Sequence, residues 1–440
     1  MLARLLTPEA FGLIAMAKAF IGVLDQFSDL GFSSAIIQKK EIKEEHLSSA
    51  FWFNFITSIF IAAFFYFTST WIANLYNEPE LVIVTKILSL TFIISGLKRV
   101  QYALLIKRLK FKQLAVYGLI SGTIAGGVGI TMALLDFGVY SLLAYQLVLS
   151  FSQLIIFWSL ASWKPKLIFS LEKFKELWGF GLNVTSWRFF SNASRRGFDY
   201  LVGYFFGATG LGYFTIAFKL IDSLNTIFTK TIWKVLFPVF STIQDDFKLL
   251  NKYYLRINSL IAGFIIPVYL WIGINAEFLV TSLFGEQWLQ SSLLLSVIVF
   301  SGMAKAVAGV ARQFLMSTGN VKVVSFTSFL TFILIVTSII LLRNSTYLSI
   351  AVAYTSINIL IMGIILTKTT HKLQSYLLRT IKSFGFSLIA VVIVLATFWL
   401  IKAIRPEELF IAVFTVIALA ISTIPIIWKE FKRMTVVARR

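Results

Sequence analysis

The stretch Phe11–Leu24, FGLIAMAKAFIGVL, aligns without a gap on Leu211–Leu224, LGYFTIAFKLIDSL, two hundred residues further on. Gly12 meets Gly212, Ala17 meets Ala217, Ile21 meets Ile221 and Leu24 meets Leu224. Two more echoes follow in the same order. Leu75-Tyr76-Asn77-Glu78 is echoed by Leu283-Phe284-Gly285-Glu286, and Ser95-Gly96 by Ser301-Gly302, each pair with a lysine shortly after it. Apolar sequences resemble one another by composition, so one match carries little. Several matches in order, spaced by six apolar segments, predict two homologous halves in the same orientation. Parallel repeats related by an axis along the membrane normal are a transporter architecture with the substrate site between the halves.

The composition agrees with a membrane protein. Of 440 residues, 58% are hydrophobic and 14% charged, whereas a soluble domain carries about 25% charged residues. Thirteen apolar runs of membrane-crossing length can be drawn, at 9–34, 48–75, 81–105, 114–135, 138–161, 179–206, 209–237, 254–284, 287–311, 321–342, 346–367, 380–401 and 407–428. They read as helices, because a barrel would show roughly 10-residue alternating segments. Several function classes drop out. Cysteine is absent, which excludes disulfides, thiolate metal sites and cysteine nucleophiles. Neither a Walker-type loop, HExxH nor GxSxG occurs. His46 and His371 fall in charged connectors and read as solvated loop residues.

The net charge of +20 would suit nucleic acid if the basic residues shared a water-facing surface, but this chain has almost no such surface. Instead the connectors alternate. Groups such as Lys107-Arg108-Lys110-Lys112 and Lys164-Lys166-Lys173-Lys175 stand on one side, and Glu78, Glu80, Glu277, Glu286, Glu407 and Glu408 on the other. An excess of Lys and Arg marks the cytoplasmic side, which predicts a cytoplasmic C-terminus and no nucleic-acid partner. Helix 179–206 precedes the second repeat, and the chain begins before a counterpart can precede the first. A missing first helix is therefore expected, with about thirteen of an original fourteen present.

Leu6-Thr7-Pro8-Glu9-Ala10-Phe11-Gly12-Leu13 and Phe27-Ser28-Asp29-Leu30-Gly31-Phe32-Ser33-Ser34-Ala35-Ile36-Ile37-Gln38-Lys39 resemble the opening of bacterial polysaccharide-repeat-unit flippases. These form the lipopolysaccharide and exopolysaccharide branch of the multidrug/oligosaccharidyl-lipid/polysaccharide (MOP) exporter superfamily. Tyr200–Tyr213, YLVGYFFGATGLGY, resembles the matching stretch of that family's second half. The resemblance implies an all-α polytopic membrane protein of two six-helix lobes plus two C-terminal helices. The lobes would be 1–165, lacking its first helix, and 166–370, with two further helices and a basic cytoplasmic tail in 371–440. It also implies a non-enzymatic carrier of undecaprenyl-pyrophosphate-linked oligosaccharide in the bacterial cytoplasmic (inner) membrane. Its partners would be the lipid-linked oligosaccharide, the membrane and polysaccharide assembly machinery.

Charges inside the apolar segments carry the chemistry. The bases are Lys18, Lys86, Lys98, Arg99, Arg188, Arg195, Arg196, Lys219, Lys230, Lys234 and Lys305, against the acids Asp25, Asp29, Asp199 and Asp222. A cation at the centre of a membrane helix costs at least ~2.5–3.5 kcal/mol, so it tends to face a cavity or a partner. Lys18, Asp25 and Asp29 share a helix stripe, as do Arg188, Asn192, Arg195 and Asp199. Arg99, Lys230, Lys234 and Lys86 lie near segment ends and read as snorkelling residues. Asp199 can pair with Arg195 or Arg196, and Asp222 with Lys219. The deeper cations outnumber the acids, and an anion would complete them.

Lys18, Arg188, Arg195, Arg196, Lys219 and Lys305 are accordingly the expected pyrophosphate and sugar site. Asp25, Asp199 and Asp222 are candidates for coupling to H⁺ or Na⁺, with no metal and no other cofactor expected. Two alternatives stand beside this reading. An ion-coupled exporter of small molecules would need an acidic, aromatic cavity, and a membrane enzyme of polysaccharide assembly would need a large soluble loop.

Overall fold

The computed structural model of the chain describes residues 1–372 other than 40, 162 and 243–245. For side chains it also leaves aside 26, 38, 179–194, 227–239, 241, 242, 247, 260, 264, 321 and 372. The expected spans 380–401 and 407–428, and the basic tail, lie outside these residues.

Among the described residues the secondary structure is helical, with no strand. The helices are α1 (Leu2–Leu5), α2 (Pro8–Asp29), α3 (Phe32–Gln38), α4 (Glu44–Phe67), α5 (Ser69–Tyr76), α6 (Leu81–Lys107), α7 (Phe111–Leu134) and α8 (Val139–Leu160). After them come α9 (Leu171–Thr242), α10 (Phe247–Ile274), α11 (Ala276–Phe284), α12 (Leu289–Ser317), α13 (Val321–Leu341) and α14 (Tyr347–Lys372). Ten helices among the described residues are long and apolar enough to cross a membrane, so this is a multi-pass membrane protein. Lipid offers backbone groups no partner, which is why each span must satisfy its own hydrogen bonds as a helix. Hydroxyls within the spans do likewise. Thr123, Thr131 and Thr369 donate to the carbonyls of Leu119, Gly127 and Ile365, one turn back.

Helix breaks fall where the sequence supplies the right residue. Gly207, with φ 70° and ψ −178°, divides α9 into 171–206 and 208–242, close to the two separate segments drawn from hydropathy. Only glycine takes that conformation without strain. At the end of α2, Leu30 and Gly31 have φ 42° and 76°. The Asp29 carboxylate accepts from the Ser33 N–H at 3.1 Å and from the Ser33 hydroxyl at 2.7 Å, which ties it to the first turn of α3, whose N-cap is Gly31.

By its contacts the chain separates into two compact units, Met1–Thr215 with Leu283–Gln287, and Ile216–Ser282 with Trp288 onward. In the first unit α4 packs along α6, α6 along α8 and α7 along α8. In the second, α10 packs along α12, α12 along α14 and α13 along α14. These are the same three pairings under the repeat. The echoed residues also do the same work twice. Asn77 and Gly285 take φ 55° and 105° immediately after α5 and α11. Gly96 brings α6 onto α4, since a Cβ there would lie 2.6 Å from Ser58 Oγ, and Gly302 brings α12 onto α10, 2.5 Å from the Tyr269 ring.

One end of the first unit is a cluster of buried apolar residues including Phe32, Leu47, Phe51, Leu104 and Trp163. The Glu176 carboxylate lies beside it, accepting from Lys39 at 2.5 Å, Lys173 at 2.6 Å and His46 Nε2 at 3.0 Å. His46 differs from the sequence expectation. It is 2% exposed rather than solvated, because its Nδ1 accepts from the Lys43 N–H at 3.1 Å at the start of α4. With Nδ1 accepting, Nε2 carries the proton and donates to Glu176.

Candidate functional site

In the first unit, Lys18 on α2 is half-buried and donates to Gln146 Oε1 of α8 at 3.1 Å. Seven residues along the same helix, Gln153 Oε1 accepts from Lys98 of α6 at 2.8 Å. Two turns of α8 thus hold two lysines from two other helices. Adjacent to Lys98, Arg99 Nη2 donates to Asp25 Oδ1 of α2 at 2.5 Å. Arg99 is therefore an ion-pair partner joining α6 to α2 rather than a snorkelling residue.

The 171–206 helix contributes a second group. Arg195 Nε donates to Asp199 Oδ1 at 3.1 Å, and Arg196 Nη1 lies 3.7 Å from Asp199 Oδ2. Asp199 is 8% exposed and takes both arginines as its own helix allows, at i−4 and i−3. Arg196 also reaches α2, where its guanidinium fills the space that a Cβ on Gly22 would occupy. Gly22 stands one turn after Lys18, so Arg196 lies on the stripe that carries Lys18 and Asp25. The side chain of Arg188 is outside the described residues.

The second unit holds the remaining expected residues. Lys305 on α12 donates to the Tyr354 hydroxyl of α14 at 2.5 Å, with its ammonium 4.7 Å from the Tyr354 ring centre. Tyr354 is held in turn by the edge-to-face ring of Phe218, 5.1 Å away. Lys219 and Asp222 are exposed. Among the described residues, no three His, Cys, Asp or Glu side chains converge to hold a metal ion.

The partners missed in the sequence are Gln146, Gln153 and Tyr354. A signal was available for the glutamines, which are spaced i, i+7 in the otherwise apolar segment 138–161. These partners are neutral. A neutral oxygen satisfies an ammonium donor without cancelling its charge.

Residues 1–293 match a family model described as "Polysaccharide biosynthesis protein". The chain belongs to this family. Among curated members that resemble it, the teichuronic acid biosynthesis protein TuaB of Bacillus subtilis is 26% identical over 297 residues, covering 66% of this chain and 61% of TuaB. The succinoglycan biosynthesis transport protein ExoT of Rhizobium meliloti is 25% identical, over 68% of this chain and 61% of ExoT. The lipopolysaccharide biosynthesis protein WzxC of Escherichia coli is 26% identical, over 76% and 68%. The chain thus matches about three-fifths of the length of the first two.

Its fold is shared with two solved structures at low sequence identity. The Lipid II flippase MurJ superimposes with a TM-score of 0.74 at 16% identity, covering 98% of this chain and 96% of MurJ. A multidrug resistance MATE family transporter of the MOP superfamily gives 0.69 at 14% identity, over 85% and 92%.

Proposed function

We propose that this polysaccharide biosynthesis protein carries undecaprenyl-pyrophosphate-linked oligosaccharide repeat units from the inner to the outer leaflet of the bacterial cytoplasmic membrane. It does so by alternating access, without catalysing a covalent reaction. The observation that carries the reading is the surplus of cations over acids within the apolar segments, with Lys18 and Lys305 held on neutral oxygens. Two phosphates crossing a low-dielectric interior need fixed cationic donors in place of water. Lys18, Arg188, Arg195, Arg196, Lys219 and Lys305 supply them, and the lipid tail stays in the bilayer. A cation exporter would need the opposite balance.

The names of the relatives support the polysaccharide context, and the fold shared with MurJ supports a lipid-linked cargo. Residues 1–165 and 166–370 form the two homologous lobes, and 371–440 the appended helices and tail. The acid-rich connectors face outward and the C-terminus is cytoplasmic. Coupling to H⁺ or Na⁺ runs through Asp25, Asp199 and Asp222, with the Asp25–Arg99 and Asp199–Arg195 pairs as the contacts that ion binding would weaken. Assembly enzymes of the polysaccharide are the expected partners.

Gene deletion tests this reading. The deletion strain should lose surface polysaccharide and strand undecaprenyl-linked oligosaccharide on the cytoplasmic face. Complementation by the wild-type gene, but not by Lys18→Gln or Arg195→Gln, is expected. Normal surface polysaccharide in the deletion strain, with no paralogue compensating, rules the reading out.

A further inference from the structure

Beyond Arg196, helix 171–206 carries a stripe that the anion site does not use, all of it within the first unit. Arg196, Tyr200 and Tyr204 follow at i, i+4 and i+8, so they stand one above another on a single face, about 6 Å apart along the axis. The rings of Tyr200 and Tyr204 lie 6.4 Å apart at 16° to one another, so their faces point the same way. Phe20 of α2 and Tyr76 of α5 hold Tyr200 in place, meeting it at 85° and 64° with ring centres 5.8 and 5.9 Å away. Tyr204, by contrast, is 47% exposed.

Tyr76 supplies a second, independent observation. It is 5% exposed, and its hydroxyl is buried with no hydrogen-bond partner among the described residues. The ring end next to that hydroxyl abuts Gly203, where a Cβ would come within 3.0 Å of Tyr76 Cε1. Gly203 stands on the same face as Tyr200, one residue before Tyr204. The orphaned hydroxyl therefore lies beside the pair of parallel rings. A buried hydroxyl without a partner is costly, and a ligand that brings hydroxyl groups to these rings would remove the cost.

An apolar face edged by hydroxyls is the chemistry of a sugar. The axial C–H groups of a pyranose carry partial positive charge and pack on the negative face of an aromatic ring, while its hydroxyls pair at the edge. We propose that Tyr200 and Tyr204 are a saccharide subsite. Successive sugar rings of the cargo stack on them and a sugar hydroxyl pairs with Tyr76, with the pyrophosphate one turn back at Arg196. The inference rests on the transport reading for the identity of the cargo. It adds what cations alone cannot supply, a preference for the sugar-bearing lipid over the bare lipid pyrophosphate.

Binding tests the subsite apart from transport. The protein in nanodiscs is titrated with undecaprenyl pyrophosphate and with the same lipid carrying a short N-acetylglucosamine chain. Tyr200→Ala and Tyr204→Ala should each weaken the sugar-bearing probe about tenfold and the bare lipid less than about twofold. Tyr200→Phe and Tyr204→Phe, which keep the ring, should restore the affinity for the sugar-bearing probe. Tyr76→Phe should weaken that probe alone, about fivefold.

Equal losses for both probes mean a structural role and overturn the subsite. So does wild-type protein that binds the two probes equally tightly. Translocation in proteoliposomes is read separately. Protein that prefers the sugar-bearing probe through these tyrosines but does not move it overturns the transport reading and leaves the subsite standing. Protein that moves the probe, with unaltered affinity in both alanine variants, does the reverse.

Discussion

The guanidinium of Arg196 occupies the volume that a side chain on Gly22 would take, one turn beyond Lys18 on α2. Gly22→Ala is therefore expected to displace Arg196 from this stripe. The displaced atoms end a flexible side chain, so stability should change by less than about 1 kcal/mol. Translocation should fall about tenfold, and Arg196→Gln should lower it to a similar extent. Thermal unfolding and proteoliposome transport, measured on the same preparation, check the separation of the two effects.

The beginnings of α2 and of 208–242, which cross backbone to backbone, behave differently. At Gly12 and Gly212 the colliding atoms are the carbonyls of Ala208 and Pro8, which cannot swing aside. Gly12→Ala and Gly212→Ala should each destabilise the protein by about 1–3 kcal/mol. Because the two contacts share one crossing, the double variant should cost less than the sum. Additive losses in a double-mutant cycle would place the two glycines in independent environments.

Much of this architecture was legible in the sequence, and the limit was distance along the chain. Hydropathy located the apolar segments, Gly207 falls between two of them, and the echoes at Asn77 and Gly285 became matching helix ends. Pairings at i, i+4 were also readable, and Asp199 does hold Arg195. What spacing cannot show is which helices touch. Asp25 meets Arg99 of another helix, and Lys18 meets Gln146, because α2 packs on α6 and α8. His46 departs from the solvated position that its neighbours suggest. Its charged neighbours suggest solvent, whereas Glu176, distant in sequence, buries and holds it.

A pH dependence follows from Glu78, which lies in the connector outside the spans. Burial raises its carboxyl above the ordinary range, the Ala208 N–H opposes this, and Glu9 and Glu80 add to the rise. In the unfolded chain Glu78 returns toward its usual value. The folded form therefore binds the proton more tightly, and stability is gained as the pH falls through this range. Glu78→Gln should raise the melting temperature at pH 8 and change it less at pH 5, as thermal unfolding at the two pH values would show.

At the other end of the unit, Lys173, Lys39 and His46 hold the Glu176 carboxyl well below the usual carboxylate range. A carboxyl lowered in the folded state adds stability above its unfolded value, about 4.3. That stability is lost only as the pH falls through the lowered folded value. Glu176→Gln should lower the melting temperature by the same amount at pH 7 and pH 5.5. A difference that shrinks between pH 7 and pH 5.5 would mean that the carboxyl titrates above the ordinary range rather than below it.

The central claim is that cations within the apolar segments serve an anionic, lipid-linked cargo. Its most direct test is translocation of undecaprenyl-pyrophosphate-linked N-acetylglucosamine by purified protein in proteoliposomes, beside Lys18→Gln, Arg195→Gln and Lys305→Gln, with a cationic dye as the second cargo. The wild type should move the glycolipid and leave the dye, and each substitution should slow it about tenfold or more. Glycolipid movement unchanged in all three variants, or transport of the dye alone, would contradict the account.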